Sequence, residues 1–309
     1  MSRRWRIALP ILLLLLVASV LVLRGPRTSL PSDLSGTLVF VSDRSGSESL
    51  YVRRLPRGRD LRITTTSEPV REPRLSPDGT RAAFSMGGRI GLVSLASEDV
   101  RVLTLGVEWR DASPSWRPDG KALVVSSRRS DGANAGLQLL DLDLPEGGVR
   151  RDPLTQTRGL DDQAPVFAPD GLSVIFVREE NLFRVSLADG RTTRLTGSFR
   201  RYRHPRMLPS GRIVALWSQD KQHGIDVMDT DGKNRETLAE GPVFYRTVAP
   251  SPDGRYLAAT FTFDLGFHPT DAFWPLKTEE LHLLDIHGRR LGPLERSWRH
   301  TNHSPDWGR

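Results

Sequence analysis

Cysteine is absent from this 309-residue chain, which excludes disulfides, thiolate metal sites, thiol nucleophiles and a lipidated N-terminal cysteine. Three catalytic signatures are also missing. They are the Gly-x-Ser-x-Gly elbow of serine hydrolases, the His-Glu-x-x-His motif of zinc proteases and the glycine-rich loop that binds phosphates. These absences favour a binding protein over an enzyme and leave catalysis of another kind open.

Positive charge is concentrated at the start of the chain. The formal net charge is +7, and residues 1–35 contribute +4 of it through five arginines and one aspartate. The remaining residues carry +3, and no basic stripe with interleaved aromatic side chains occurs among them. We therefore expect no nucleic-acid partner and assign most of the excess charge to membrane topology.

A hydrophobic run without any charged side chain covers residues 7–23. As a helix it would span ~25 Å, the short end of what crosses a bilayer. Three arginines precede it, and positive residues favour the cytoplasmic side, so the rest of the chain is predicted to be exported. We interpret residues 1–24 as a signal anchor. The alternative is a signal peptide cleaved after the small residues at 17–19.

Residues 36–309 follow a short linker, residues 25–35, and contain a repeated turn whose glycines lie 41, 51, 40 and 43 residues apart. In this turn Pro fixes φ, Asp hydrogen-bonds the local backbone and Gly accepts a positive φ. The turn should therefore join two antiparallel strands. Its copies are residues 76–79, 117–120, 168–171, 208–211 and 251–254, and Gly36 begins a sixth unit.

Each unit continues as an apolar strand, a second strand, a third strand that ends near a Leu-Thr pair, and a fourth strand that leads into the next turn. Four short strands per unit predict an all-β fold, a six-bladed β-propeller. Blade one lacks its innermost strand, and residues 303–307 match the missing strand, so we expect them to close the ring. Apolar residues two positions after an aligned proline are predicted to pack between blades: Leu75, Trp116, Phe167, Met207 and Trp307.

The repeat resembles that of the TolB-like propeller family, also called WD-like propeller repeats. Residues 73–79, 81–85 and 194–196 carry its proline turn, its apolar strand and its Arg-Leu-Thr segment, and the resemblance covers residues 36–309. It implies a periplasmic β-propeller that acts as a binding platform, as in the Tol–Pal envelope system. Too few residues precede position 36 for the α/β domain of TolB itself, so we expect a propeller of this family and not a full TolB.

The segments that enter the innermost strands are predicted to lie on the face opposite the Pro-Asp-Gly turns and to surround the mouth of the central channel. Arginine there suits carboxylates or phosphates, because its guanidinium is a planar donor fork. The alternative is that these arginines pair with nearby carboxylates such as Glu72, Asp111, Asp161 and Asp162. The predicted channel-mouth site consists of Arg71, Gln163, Arg203, Arg246 and His303.

A second predicted binding element is the loop of residues 262–280 in blade six. Loops of this length are usually functional or disordered, and exposed aromatic side chains are good interface anchors. A lid packed on its own blade is the alternative. The residues predicted to bind are Phe267, His268, Phe273 and Trp274.

These features predict an exported, membrane-tethered propeller that binds an envelope protein or an anionic ligand at its mouth face, without a cofactor or a metal. The alternative is a metal-dependent, carbohydrate-active propeller that acts as a lyase on acidic glycans. Its metal would be held near the mouth by His204, His300 and His303. The identity of the ligand and the oligomeric state do not follow from the sequence.

Overall fold

Strands and turns account for the backbone, and no helix occurs in the part of the chain that the structure describes. The computed structural model describes residues 30–105, 107–132, 134–144, 148–156, 161–197, 199–263, 279–294 and 300–309. Within these ranges, no helix has the length and apolar character needed to cross a membrane. The predicted anchor, residues 1–24, lies outside them, so the anchor and the division from linker and propeller stay predictions.

Twenty-four strands form six four-stranded antiparallel sheets, which confirms the predicted six-bladed β-propeller. Blade one contains β1 (Thr37–Ser42), β2 (Ser49–Arg54), β3 (Leu61–Arg62) and β24 (Asn302–Gly308). Blade two contains β4 (Val70–Leu75), β5 (Arg81–Met86), β6 (Arg89–Ser94) and β7 (Val100–Val102). Blade three contains β8 (Trp109–Trp116), β9 (Ala122–Arg129), β10 (Ala135–Asp141) and β11 (Arg150–Pro153).

The other three blades repeat this plan with strands in chain order. Blade four contains β12 (Gln163–Phe167), β13 (Ser173–Arg178), β14 (Asn181–Ser186) and β15 (Thr192–Arg194). Blade five contains β16 (Arg201–Met207), β17 (Ile213–Gln219), β18 (Gln222–Met228) and β19 (Glu236–Gly241). Blade six contains β20 (Val243–Pro250), β21 (Tyr256–Phe263), β22 (Glu280–Asp285) and β23 (Arg290–Pro293).

The ring closes in blade one, where β24 pairs antiparallel with β1 and sets Leu38 opposite Trp307. The innermost strands contact one another in the order β24, β4, β8, β12, β16, β20 and back to β24. The predicted closure is therefore confirmed. Gly36 permits it, because its φ is +102° and a Cβ there would lie 2.4 Å from the carbonyl oxygen of Gly308.

The hydrophobic core is divided among the interfaces between neighbouring blades. Trp307, for example, packs with Leu38 of blade one and with Leu283 of blade six. Leu75, Trp116 and Phe167 take equivalent places at the next interfaces, and Met207 packs partly against another, as predicted. Each buried side chain of this size contributes on the order of 2–3 kcal/mol to folding.

The Pro-Asp-Gly turns have the predicted chemistry. The Asp Oδ1 atom accepts a hydrogen bond from the backbone N–H two residues later, at 3.0 Å from Thr80 and 2.9 Å from Lys121. The following glycines take positive φ angles, +71° at Gly79 and +72° at Gly120. Local sequence thus fixes where the first strand of a blade reverses into the second.

The threonine of the Leu-Thr pair makes a hydrogen bond that recurs from blade to blade. In blades one to four, the Thr Oγ1 atom accepts the backbone N–H of a residue in the second strand, at 2.9–3.0 Å. The bond extends the sheet past the short outer strand. The four acceptors are Thr64, Thr104, Thr155 and Thr196.

Candidate functional site

Strand register divides each blade between two faces. In blade five, Arg201, Ser218, His223 and Gly241 are paired in one row, at the start of the innermost strand β16. Met207 pairs with Ile213 at the other end, beside the Pro-x-Gly turn. Arg71, Gln163, Arg203 and His303 all precede the register shift of their innermost strands, on the side of the first face, and their part in binding stays a prediction.

Five innermost strands have a bulge close to their aligned proline, where their register against the second strand shifts, and the blade-six strand shifts between Tyr245 and Thr247. Proline disfavours the right-handed helical region for the residue before it, and a bulge accommodates the left-handed one. Blade six has Val248 in place of proline and no positive φ at Thr247. In the other five blades the residue before proline has a φ of 47–52°: Glu72, Ser113, Ala164, His204 and Ser304.

Side chains beside these prolines link one innermost strand to the next. Glu72 accepts hydrogen bonds from Ser113 N to Oε2 and from Ser113 Oγ to Oε1, both at 2.8 Å. Asp306 Oδ2 accepts from Leu75 N at 2.8 Å. Burial raises the pKa of Glu72, but the hydrogen bonds from Ser113 and the charge of Arg74 together lower it by more. The pKa of Glu72 therefore lies below its ordinary value.

Two arginines on opposite innermost strands are buried. Arg74 is 7% exposed and Arg206 is 5% exposed, and each donates from Nη1 to the carbonyl oxygen of its preceding proline. The Arg206 Nε atom has no hydrogen-bond partner among the described residues. Burial and the nearby charge of Arg74 lower the pKa of Arg206 to about 9.

His204 stands beside Arg206 on the same strand. Burial, followed by the charge of Arg206, lowers the pKa of its imidazole to about 3, so the ring is neutral at neutral pH. Arg74, Arg206 and Asp306 were not among the predicted site residues. The signal was available, since charged residues stand directly after the aligned prolines at these three positions of innermost strands.

Three of the five predicted mouth residues contact carboxylates. Glu48 brings two of them together, because Oε2 lies 3.0 Å from Arg71 Nε and Oε1 lies 3.3 Å from His303 Nε2. The Arg246 Nε atom lies 3.2 Å from Glu279 Oε1. A ligand carboxylate at these positions would compete with an existing one.

Arg203 differs from the other two mouth arginines. Its guanidinium lies 4.4 Å from the ring centre of Phe244, and Nη1 donates to Ser218 Oγ at 3.0 Å. His223 packs edge-on against the same Phe244 ring at 4.9 Å. Within the described part of the chain, Arg203 Nε has no hydrogen-bond partner, and burial lowers the pKa of the side chain.

Arg71 and Arg246 pair with nearby carboxylates, as the alternative expects, but the four carboxylates given as examples bind other groups. Asp111 is buried in blade three and binds Arg151 Nη2 at 2.6 Å, because its side chain points into its own blade. Asp162 likewise binds Arg178 at 2.6 Å, and Asp161 pairs with Arg128. Glu72 instead accepts hydrogen bonds from serines, as described above.

Gln163 and Phe199 are exposed side chains at segments that enter innermost strands. Phe199, immediately before β16, is 87% exposed, and sequence reasoning missed it although it lies in a segment that enters an innermost strand. The predicted loop residues Phe267, His268, Phe273 and Trp274 lie outside the described residues.

The three histidines of the predicted metal site do not meet. His204 lies near Arg206 and Glu72, His303 lies against Glu48, and His300 Nδ1 is 3.8 Å from Asp43 Oδ1. Over the ranges that the structure describes, no group of three or more His, Asp or Glu side chains is arranged to hold a metal ion.

Comparisons with known proteins point to one kind of propeller, although no family model matches the chain. A TolB homolog of Chlorobium luteolum is 32% identical over 56% of this chain and 38% of its own length. The Tol-Pal system protein TolB of Francisella tularensis is 23% identical over 70% of this chain and 52% of its own length. The matches thus span roughly a third to a half of these relatives.

Solved structures share the fold. TolB from Acinetobacter baumannii superposes with a TM-score of 0.72 at 18% identity, over 90% of this chain and 68% of that one. An oligogalacturonate lyase in complex with manganese gives a TM-score of 0.58 at 16% identity, over 82% of this chain and 73% of that one. At these identities the superpositions show the fold alone. Together with the TolB homologues, they identify the chain as a TolB-like β-propeller that corresponds to part of the full-length TolB proteins.

Proposed function

We propose that this propeller is an exported, membrane-tethered binding platform of the bacterial cell envelope, and that a protein partner binds at its mouth face. The observation that carries the proposal is Phe199, a large aromatic side chain that is 87% exposed at the entry to an innermost strand. Exposed aromatic side chains beside arginines are typical of the few residues that dominate interface energies.

Arg203 is the best placed of the mouth arginines for this role. It makes no ion pair within 4 Å with a carboxylate of the described residues, whereas Arg71 and Arg246 have Glu48 and Glu279. Its stacking on Phe244 holds the guanidinium in place, which lowers the entropy lost on binding. Gln163, His303 and the blade-six loop belong to the same proposed surface.

The relatives support an envelope partner. One of them is named as the TolB protein of the Tol-Pal system, and the fold is shared with TolB structures. The lyase superposition has no matching metal-ligand group among the described residues, so we propose no second function.

Partner capture tests the proposal. We expect the full-length protein, solubilised in detergent, to recover a reproducible envelope partner, and Phe199→Ser to lower that recovery at least ~10-fold, because an interface hot spot contributes roughly 2 kcal/mol or more. Leu172→Ser is the matched control. Leu172 is also an exposed apolar residue, at 67%, but it follows a Pro-Asp-Gly turn on the opposite face.

Unchanged recovery with Phe199→Ser, or an equal loss with Leu172→Ser, would contradict the mouth face as the binding surface. Arg203→Gln should weaken recovery in the same direction. Circular dichroism and thermal unfolding would establish that each variant is folded.

Membrane tethering needs a separate test. We expect the protein to sediment with membranes, to resist extraction by high salt and to retain residues 1–24 in its intact mass. A soluble periplasmic product that begins after residue 19 would show cleavage instead.

A further inference from the structure

Two guanidinium groups approach the central channel from opposite sides. Arg74 lies on β4 of blade two and Arg206 on β16 of blade five, three places apart in the closed ring of six innermost strands. Each guanidinium is influenced by the charges of Glu72 and Asp306, and the charge of Arg74 also lowers the pKa of Arg206, so these charged groups lie near one another.

Among the described residues, these two arginines use few of their hydrogen-bond donors. A guanidinium has five N–H donors, and each of the two makes a single hydrogen bond within the described ranges, to the carbonyl of its own preceding residue. Arg206 Nε has no partner among the described residues although the side chain is only 5% exposed. Leaving such charged donors unpaired inside a protein is costly.

The channel carboxylates do not fill this need. Glu72 accepts from Ser113 and Ser85, and Asp306 accepts from Leu75 N. Among the described residues, neither carboxylate lies within 4 Å of the Arg74 or Arg206 guanidinium.

Three of the equivalent positions, directly after the aligned proline or its replacement, carry short side chains. They are Ser115 in blade three, Val166 in blade four and Ala249 in blade six. None of these three side chains has a charged group that could pair with the guanidinium groups.

We propose that the channel binds a small monoanionic carboxylate between Arg74 and Arg206. The planar carboxylate matches the donor fork of a guanidinium. Glu72 and Asp306 share the channel, and their negative charges disfavour a dianion such as phosphate. The site stands apart from the proposed mouth surface and does not depend on a protein partner.

Acetate is the probe. The full chain in detergent is titrated with sodium acetate at pH 8 and constant ionic strength, with sodium chloride and sodium phosphate as comparisons. We expect acetate at one hundred times its Kd to raise the Tm by roughly 5 °C, and phosphate to bind at least ~10-fold more weakly.

Arg206→Met separates binding from folding. It removes a buried charge that no carboxylate of the described residues neutralises closely, so the ligand-free Tm should stay the same or rise, while the acetate-dependent shift disappears. Arg206→Lys keeps the charge without the fork and should weaken acetate at least ~10-fold. Arg255→Gln, on an exposed turn, is the control that should bind acetate like the wild type.

Three results would overturn the proposal. The first is a wild-type Tm shift with acetate no larger than that with chloride. The second is phosphate binding as tight as acetate binding. The third is an unchanged acetate affinity in both folded Arg206 variants; if neither variant folds, the wild-type titrations alone decide.

Discussion

Burial decides the protonation of His204. The unfolded imidazole has a pKa of 6.5, whereas burial and the charge of Arg206, with smaller effects from Arg74 and Arg203 and an opposing one from Glu72, lower the folded value to about 3. Between these values the unfolded state binds a proton that the folded state does not. The stability contributed by the neutral ring is therefore present above pH 6.5 and is lost as the pH falls toward 3.

His204→Gln should reduce this acid sensitivity. We expect the free energy of unfolding of the wild type to fall by up to ~1.4 kcal/mol for each pH unit below 6.5 through this group alone, and the variant to lose that part of the slope. Urea unfolding at pH 7, 5.5 and 4.5 measures it. His287→Gln, on an exposed turn, should keep the wild-type slope, and parallel slopes for all three proteins would refute the explanation.

Asp111 is a buried aspartate whose charge is paired with an arginine. Asp111 has no exposed side-chain surface and depends on Arg151 and Ser127 for its hydrogen bonds. Asp111→Ala should lower the free energy of unfolding by about 3–5 kcal/mol, because it leaves Arg151 without its partner inside blade three. Denaturant unfolding measures the loss.

Asp143→Ala serves as the control for that substitution. Asp143 pairs with Lys121, but both side chains are more than half exposed, and such pairs contribute little. Equal losses from Asp111→Ala and Asp143→Ala would show that burial is not the cause.

Single residues were the hardest to predict from sequence. Arg71 and His303 were both predicted at the mouth, but nothing in the repeat shows that Glu48, from blade one, lies between them. Arg74 and Arg206 also directly follow a register shift, and a bulge cannot be read from an alternating pattern.

At the scale of the strand and turn, local chemistry made prediction reliable. The Pro-Asp-Gly turns and the apolar strands after them follow from backbone preferences that act within four residues. The Leu-Thr pair was recognised as part of the repeat, but its function was not, because the bond from Thr196 Oγ1 to Leu182 N crosses between strands.

Thr196→Val tests that bond. Valine keeps the shape of threonine but leaves the buried Leu182 N–H without an acceptor, so the free energy of unfolding should fall by about 1–3 kcal/mol. Thr193→Val, an exposed position on the same strand β15, should change it by less than ~0.5 kcal/mol. Equal effects in chemical unfolding would show that the bond does not stabilise the blade.

For the whole molecule, the repeat predicted both the number of blades and the closure. Six starting glycines fixed the count, and the similarity of residues 303–307 to the other innermost strands identified the strand that completes blade one. The proposed exported location and tether rest on residues outside the described ranges, where sequence reasoning remains the sole guide.

Gly36→Ala tests the closure. A Cβ at Gly36 would lie 2.4 Å from the Gly308 carbonyl oxygen, whereas Gly46 has a similar φ of +92° and no neighbour within 4 Å. Both alanine variants strain the backbone by roughly 1–2 kcal/mol, and Gly36→Ala should cost about 1–3 kcal/mol more because β24 must move. Calorimetry of both proteins measures the difference. Equal costs would mean that β24 is not held tightly against this residue.

The pairing of β1 with β24 also sets the order of assembly. Blades two to six are built from neighbouring segments of chain, which pair quickly because little loop entropy is lost. Blade one joins segments from opposite ends of the propeller, so it is the slow, nonlocal step and leaves the edge of β1 open until it is complete. The channel, and with it the space between Arg74 and Arg206, comes into existence only when the last ten residues have arrived.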